Sequence, residues 1–496
     1  MAGAFGGSGP VLLREAGLST LPSDPIMAGG AWMESKDPGA VLQAQREYFR
    51  SGAISGYEAR RDALLALFSA LQEREEALLE ALRLDLRKSR FEAYSNELAT
   101  LNAEIAHTLA HLKAWMRPKG ILPELHLLPS RGEIRPQPLG NALIIAPWNY
   151  PIQLALAPLV AALSAGCTAI VKPSELSPHA EQAIATMIGE VFDPRLVAVV
   201  TGGPEVSTEL LGLPFDKYFF TGSPAVGKIV MRAASEHLAS VTLELGGKSP
   251  ALVDSTVDLR AAARMIAWGK FNNAGQTCVA PDYVLVEEAV KAPFLEALRL
   301  VIADFFGPEP KTSPNFGRIV NRRHFDRIRA YLEQGRVVVG GDSDPEELYI
   351  APTILDCDDW EAPVMTEEIF GPVLPVLGYA RPEEAVELVA RRPEPLALYI
   401  FSNDRRTRAL WRDSIPFGGG GIHSTVLHFA SSRLPFGGIG GSGLGSYHGK
   451  AGFDAFTHYK GILIRNPRLE PGLFYPPKML PLALVRFITG GGSRRG

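Results

Sequence analysis

Cysteine is scarce in this 496-residue chain: three residues, Cys167, Cys278 and Cys357, stand far apart. An odd, scattered set supplies neither a disulfide framework nor a CxxC metal pair, and it points to a reducing, cytoplasmic location. Excess charge is lacking too. Fifty basic residues face 54 acidic ones, for a formal charge of −4, without the basic footprint that a nucleic-acid partner requires. Residues 1–35 have no charged start followed by a long apolar run, so they do not resemble a secretory signal; their Gly, Ala, Ser and Pro content reads as a disordered leader. Near the other end, residues 474–489 are apolar but broken by Pro476, Pro477 and Pro481. Their longest uncharged run falls far short of the roughly 20 residues that cross a bilayer. A packing tail is expected there, with weak membrane-surface contact through Lys478, Arg486, Arg494 and Arg495 as the alternative.

What is present is globular. The 46% hydrophobic content fits large buried cores, and the length fits about three domains. Residues 57–86 and 96–115 repeat apolar side chains at helical spacing, which predicts two long helices with solvated charged faces. Pro118 and Gly120 end that pattern, and 121–138 then predicts a protruding hairpin turning at 129–132. Beyond it, β-rich apolar runs at 142–147, 168–173, 196–202, 217–222 and 241–246 alternate with helical segments. Such alternation is the pattern of a parallel sheet covered on both faces, with ligands at the carboxyl ends of its strands. A second α/β stretch follows to about residue 445, with strands expected at 283–286, 336–339 and 396–401 and a glycine-dense run, 417–445, too irregular for regular structure.

The strand ends of the first stretch are polar or glycine-rich: Pro147-Trp148-Asn149, Lys172 to Glu175, Thr201-Gly202-Gly203, Thr221-Gly222-Ser223 and Glu244 to Gly247. Glycine allows close backbone approach to a ligand, and a helix that starts there favours an anionic group. None of them is a GxGxxG fingerprint, so a dinucleotide site here is unorthodox. Further on, FNNAGQTCV places Cys278 among small and amide side chains, a setting for a reactive thiol and not a structural one. A thiolate, a dinucleotide-type sheet and the isolated carboxylate of Glu244 together suit oxidation of an aldehyde through a thioester. The Asn149 amide and the Cys278 N–H are suitable oxyanion donors, and Glu244, between Leu243 and Leu245, a suitable base for hydrolysis. The bland alternative for Glu244 is a cap on a neighbouring helix.

The motifs PWNYP, VKPSELSP, FFTGS, LELGGK, FNNAGQTC and EEIFGP occur in the order and spacing of the NAD(P)-dependent aldehyde dehydrogenase superfamily. The resemblance covers about residues 40–465, and GQTCVAPDYV with SYHGK is similar to the class 3 branch, whose members take medium-chain, fatty or aromatic aldehydes. It implies Cys278 as nucleophile, Glu244 as general base and Asn149 as oxyanion donor. It also implies a cofactor set of Trp148, Lys172 with Glu175 at the adenosine ribose, Gly222 and Ser223 at the pyrophosphate, Glu368 at the nicotinamide ribose and Phe370 beside the nicotinamide. The implied α/β fold has a Rossmann-type cofactor domain (36–120 and 139–246), a catalytic domain (247–445) and a β oligomerisation arm with the tail (121–138 and 446–496) that pairs a homodimer. The carboxylate of Glu175 favours NAD, with NADP use still open. His423-Ser424 stands where class 3 members usually carry Asn-Asp, which puts the local loop in question. CoA-acylating, esterase and non-catalytic readings compete, although Cys278, Glu244 and Asn149 are all retained.

Overall fold

A computed structural model describes residues 37–469, 476 and 480–489. The expected leader, 1–35, lies outside the described residues. Residues 57–86 form two helices and not one, Tyr57–Glu73 and Glu75–Leu86, hinged at Arg74 (φ −103°, ψ 9°). The first packs on helices Ala99–Trp115 and Pro151–Ala165, the second mainly on Pro178–Val191. The hinge lets Leu64, Leu67 and Leu71, and then Leu78, Leu82 and Leu86, all be fully buried. In 96–115 a π turn, Tyr94–Leu98, precedes the α-helix. Its acidic residues also depart from expectation, since Glu97 and Glu104 are buried and not on a solvated face.

The first sheet has the order Gly443–Leu444, Ser240–Leu245, Lys217–Gly222, Asn141–Ile145, Thr168–Lys172 and Val197–Val199. All neighbours are parallel except the Gly443–Leu444 edge. Every residue of the helix Pro151–Ala165 that covers it is buried, which is why that segment is apolar all round. From Asn141–Ile145 the chain winds outward twice and then returns to Lys217–Gly222 on the opposite side. The strand order therefore reverses between these two, and a crevice opens at their carboxyl ends.

The second sheet runs Arg336–Val339, Thr353–Asp356, Val373–Tyr379, Tyr283–Glu287, Pro250–Val253, Ala397–Phe401 and Gly419–Ile422. The glycine-dense run is thus more regular than its composition suggests: it supplies an edge strand here and another, Gly443–Leu444, to the first sheet. The reason is close packing of bare backbone. A Cβ at Gly420 would lie 2.0 Å from the Leu398 carbonyl oxygen, and one at Gly443 2.5 Å from that of Leu243.

The hairpin is present, but its turn is not at 129–132. Strands Lys119–Ile121 and Ser130–Pro138 are antiparallel, with Lys119 opposite Ile134 and Ile121 opposite Gly132, and residues 122–129 connect them. Ser130, Arg131 and Gly132 are drawn into the strand because Thr457–Arg465 pairs with all nine of its residues. In the tail, helix Leu482–Ile488 leaves Leu482, Leu484 and Phe487 exposed and not packed. No helix among the described residues is long and apolar enough to cross a membrane.

Between helix Glu75–Leu86 and the first sheet sits an ion pair from which water is excluded. Lys88 Nζ lies 2.6 Å from Glu97 Oε1, and neither side chain has any exposure. Lys88 also donates to the Asn149 carbonyl at 2.8 Å and lies 4.0 Å from the Tyr150 ring centroid. Glu97 Oε2 accepts from the backbone N–H of Ile152 (2.9 Å) and Gln153 (3.2 Å), at the start of helix Pro151–Ala165. Removing one member strands the other charge in the interior. Lys88→Met is expected to cost about 3–5 kcal/mol in denaturant unfolding, and a loss below about 1 kcal/mol would show that Glu97 finds another partner.

Candidate active site

Helix Leu259–Phe271 ends in a turn that few sequences adopt. Asn273 (φ 52°, ψ 35°) and Ala274 (φ 50°, ψ 34°) are both left-handed, and Gly275 follows at φ 77°. Such conformations cost of order 1–3 kcal/mol each outside glycine and persist only where the surroundings fix them. Here the amide side chains do so. Asn273 Nδ2 donates to the Asn149 carbonyl at 2.8 Å, and its backbone N–H to Glu92 Oε1 at 2.5 Å. Gln276 donates to the carbonyls of Asn273 and Arg318 and accepts from the Val320 N–H. Asn272 accepts from Asn96 at 3.0 Å. The polar residues around the cysteine are therefore ties for the backbone and do not solvate the thiol. A side chain at Gly275 would put Cβ 2.2 Å from the Gly371 carbonyl oxygen, so only glycine lets the loop pass there.

The loop delivers Cys278, half-buried, to a cavity that Glu244 and Thr221 also line. Glu244 lies on strand Ser240–Leu245, opposite Thr221 on one side and Gly443 on the other. It caps no helix. It is 3% exposed, and neither of its oxygens has a partner, nor has Thr221 Oγ1. Burial alone pushes its pKa well above the carboxylate range. The Cys278 thiol is pushed up to about 12 by burial first, then by the charges of Glu368 and Glu244, against the pull of the Cys278 and Val279 N–H groups. Around the rest of the cavity stand Leu154, Leu396, Phe429, Phe436, Tyr447 and His448. Asn149 meets the loop from behind: its Nδ2 donates to the Gln276 carbonyl at 2.9 Å, which leaves its second N–H available.

The remaining expected residues gather at the crevice edge of the first sheet and face the second. Trp148 packs edge-on against Phe370 (5.4 Å between centroids) and against His324 (5.3 Å). Lys172 ends its strand 2% exposed, with Nζ 2.7 Å from Glu175 Oε2. Gly222 ends the adjacent side of the crevice, and Ser223 caps helix Pro224–Glu236 through the Val226 N–H. Glu368 reaches in from the second sheet's side. A Cβ on Gly246 would lie 2.0 Å from its Oε2, and its Oε1 is buried without a partner. Burial, then Asp282, raises its pKa to about 8. An acceptor oxygen with no protein donor, above a glycine floor and beside strand ends at a switch point, fits the ribose of a dinucleotide. His423-Ser424 begins the loop leading to Phe429; His423 is left-handed (φ 53°) and its N–H reaches the Ile400 carbonyl at 2.8 Å.

The family model described as aldehyde dehydrogenase family matches residues 27–462. The chain belongs to the aldehyde dehydrogenase family. It is 46% identical to aldehyde dehydrogenase family 3 member B1 of Homo sapiens over 464 residues, 92% of this chain and 99% of that protein. It is 45% identical to 4,4'-diaponeurosporen-aldehyde dehydrogenase of Staphylococcus aureus (strain NCTC 8325 / PS 47) over 434 residues, covering 87% and 95%. The solved substrate-bound state of Staphylococcus aureus AldH superposes with a TM-score of 0.89 at 42% identity, covering 92% of this chain and all of that one. An indole-3-acetaldehyde dehydrogenase solved with NAD+ gives 0.79 at 27%, covering 86% and 88%. These findings bear out the class 3-like resemblance, and this family member oxidises an aldehyde to the acid with a nicotinamide cofactor.

Sequence reasoning passed over Lys88, Glu92, Glu97 and Tyr150, and it noted Thr221 only as one of the polar strand-end residues. Lys88 gave no signal, because nothing local distinguishes a buried lysine from the arginines beside it. Tyr447 and His448 were visible inside SYHGK, but only as a marker of the branch. The charge of Glu368 acts on Cys278, and its removal favours the thiolate. In the cofactor-free protein, Glu368→Gln is therefore expected to move the pH profile of Cys278 alkylation by iodoacetamide to lower pH. Each unit of that shift speeds labelling about tenfold at a pH below the profile's midpoint. An unmoved profile would show that the two groups do not interact.

Proposed function

We propose that this enzyme oxidises medium- or long-chain aliphatic or aromatic aldehydes through an acyl intermediate on Cys278, with water as the acyl acceptor. The observation that carries the reading is one cavity holding both Cys278 and an unpartnered buried carboxylate, Glu244, behind aromatic and aliphatic walls. Cys278 gives its thiol proton to water, and the resulting thiolate adds to the carbonyl carbon. The oxyanion forms where the Cys278 N–H and the free N–H of Asn149 Nδ2 can donate to it, and one such donor is worth roughly 3 kcal/mol in the transition state. Collapse leaves a thioester on Cys278, while the bound nicotinamide supplies the hydride acceptor. Glu244, made more basic by burial, takes the proton of the water that attacks the thioester. The aldehydes named for two relatives, 4,4'-diaponeurosporen-aldehyde and indole-3-acetaldehyde, support an apolar substituent.

Cys278→Ala is expected to remove dehydrogenase turnover while cofactor binding persists. Glu244→Gln is expected to give a burst of reduced cofactor, near one equivalent per site, and then a slow phase, because it retains acylation and loses the base for hydrolysis. Disappearance of the burst itself in stopped-flow absorbance would mean instead that Glu244 activates the thiol.

NAD is the preferred cofactor in this reading. Lys172 would hold the adenosine ribose, and the Glu175 carboxylate 2.7 Å from its Nζ would accept from free ribose hydroxyls but repel a 2′-phosphate. Glu175→Gln is expected to narrow the NAD-to-NADP ratio of kcat/KM, chiefly by improving NADP. A wild-type preference for NADP would reject the assignment.

The three-stranded arm has an open edge at Lys119–Ile121 and exposes Ile121, Leu122, Leu125 and Leu463. A second copy would cover them in an isologous homodimer, in a reducing cytoplasm that keeps Cys278 a free thiol. Protein recovered from the cytoplasmic fraction is expected to show twice the chain mass by light scattering at micromolar concentration; the chain mass alone would reject the dimer.

A further inference from the structure

One wall of the cavity is made by a turn that should not hold its shape unaided. Tyr447 and His448 line it together with Phe436. Tyr447 is fixed by a two-way backbone bridge to Phe436, at 2.9 and 2.7 Å. The next two residues are both left-handed: His448 at φ 75° and Gly449 at φ 49°. Histidine in that region costs of order 1–3 kcal/mol and needs external support. At Gly449 no other residue fits, since a Cβ would lie 1.9 Å from the Ser432 carbonyl oxygen.

The support comes from Glu104, far away in sequence on helix Ala99–Trp115. Glu104 is 4% exposed, and its Oε1 accepts from the Gly449 N–H at 2.6 Å. That N–H is the first of helix Gly449–Ala455, whose preceding residue, His448, offers no side-chain cap. Burial pushes the Glu104 pKa up, while the Ser432 hydroxyl and the Gly449 N–H pull against it. The carboxylate thus meets the turn behind the wall through Oε1, while its Oε2 is buried without a partner, and it does not line the cavity.

We infer that Glu104 is a positioning residue for the aldehyde's substituent: by holding the Gly449 N–H it fixes the left-handed turn that presents Tyr447 and His448 to the cavity. The inference rests on the proposed reading that this cavity takes the aldehyde. Glu104 touches no reacting atom, so its loss is felt by substrates long enough to reach the wall and not by the chemistry at Cys278. One lost hydrogen bond to a charged group corresponds to about a tenfold change in an equilibrium.

The test compares KM and kcat for propanal and for a long or aromatic aldehyde, with active sites counted by Cys278 labelling. In Glu104→Ala, KM for the bulky aldehyde is expected to rise about tenfold, with kcat and KM for propanal little changed. Glu104→Gln keeps an acceptor oxygen and is expected to restore the wild-type KM. An equal loss for both aldehydes, or an unchanged KM for the bulky one, overturns the inference. Should Glu104→Ala not fold, Glu104→Asp, one methylene short of the Gly449 N–H, decides it by the same two readings. Absence of aldehyde oxidation in the wild type would instead reject the proposed function, so the two failures are distinct.

Discussion

The buried pair of Lys88 and Glu97 is the constraint on which the reacting loop depends. Its ammonium binds the carbonyl of Asn149, and its carboxylate binds the first free N–H groups of helix Pro151–Ala165. The strand-to-helix corner at residues 146–151 is therefore fixed from beneath. The same Asn149 carbonyl accepts from Asn273, and the Asn149 side chain donates to Gln276. One buried charge pair thus connects the first sheet, its covering helix and the left-handed turn that aims Cys278. Buried pairs are poor sources of net stability, because desolvation consumes most of the Coulomb gain. What this one supplies is a fixed arrangement: its two members hold the Asn149 carbonyl and the Ile152 and Gln153 N–H groups in one place.

The site that results is hostile to charge. Cys278, Glu244 and Glu368 all have pKa values raised by burial, and the carboxylates raise the thiol further. Burial and the charges of Glu368 and Glu244 all work against the thiolate of Cys278. The thiolate is the reactive form, so these same charges slow alkylation and oxidation of Cys278 below its pKa without preventing them. The unpaired oxygens of Glu244 and the unpaired Oε1 of Glu368 are costly for folding. They are affordable in a chain of this size because the two cores around them are large, and each faces a place where water or ligand brings a donor.

Glycine does the complementary work. Gly246 makes room for the Glu368 carboxylate, Gly275 lets the cysteine loop pass the backbone at 371, and Gly420 and Gly443 allow strands to lie against carbonyls of their neighbours. The run from 417 to 445 is accordingly a densely packed partition between the two sheets and forms part of the cavity wall. Its composition resembles that of a flexible loop, but its glycines are there because side chains would not fit.

Local pattern settled the parts of this protein whose physics is local. Apolar runs with turn residues between them placed four of the five parallel strands of the first sheet to within two residues and the fifth, Val197–Val199, with a three-residue overrun at its end, because strands buried on both faces must be apolar throughout. Cys278, Glu244 and the strand-end residues were legible for the same reason: a thiol among small polar residues and a carboxylate between leucines are unusual within a few positions. Contacts across long sequence distances decided the rest. The hinge at Arg74 follows from two different packing partners, and the displaced hairpin turn from a strand more than 300 residues later that claims Ser130–Pro138. The inward side chains of Lys88, Glu97 and Glu104 were hidden because each looks locally like a solvated helix charge. Only the tertiary structure supplies the partners, Asn149, Ile152 and Gly449, that make their burial possible, since a buried charge is stable only where distant segments bring hydrogen bonds to it.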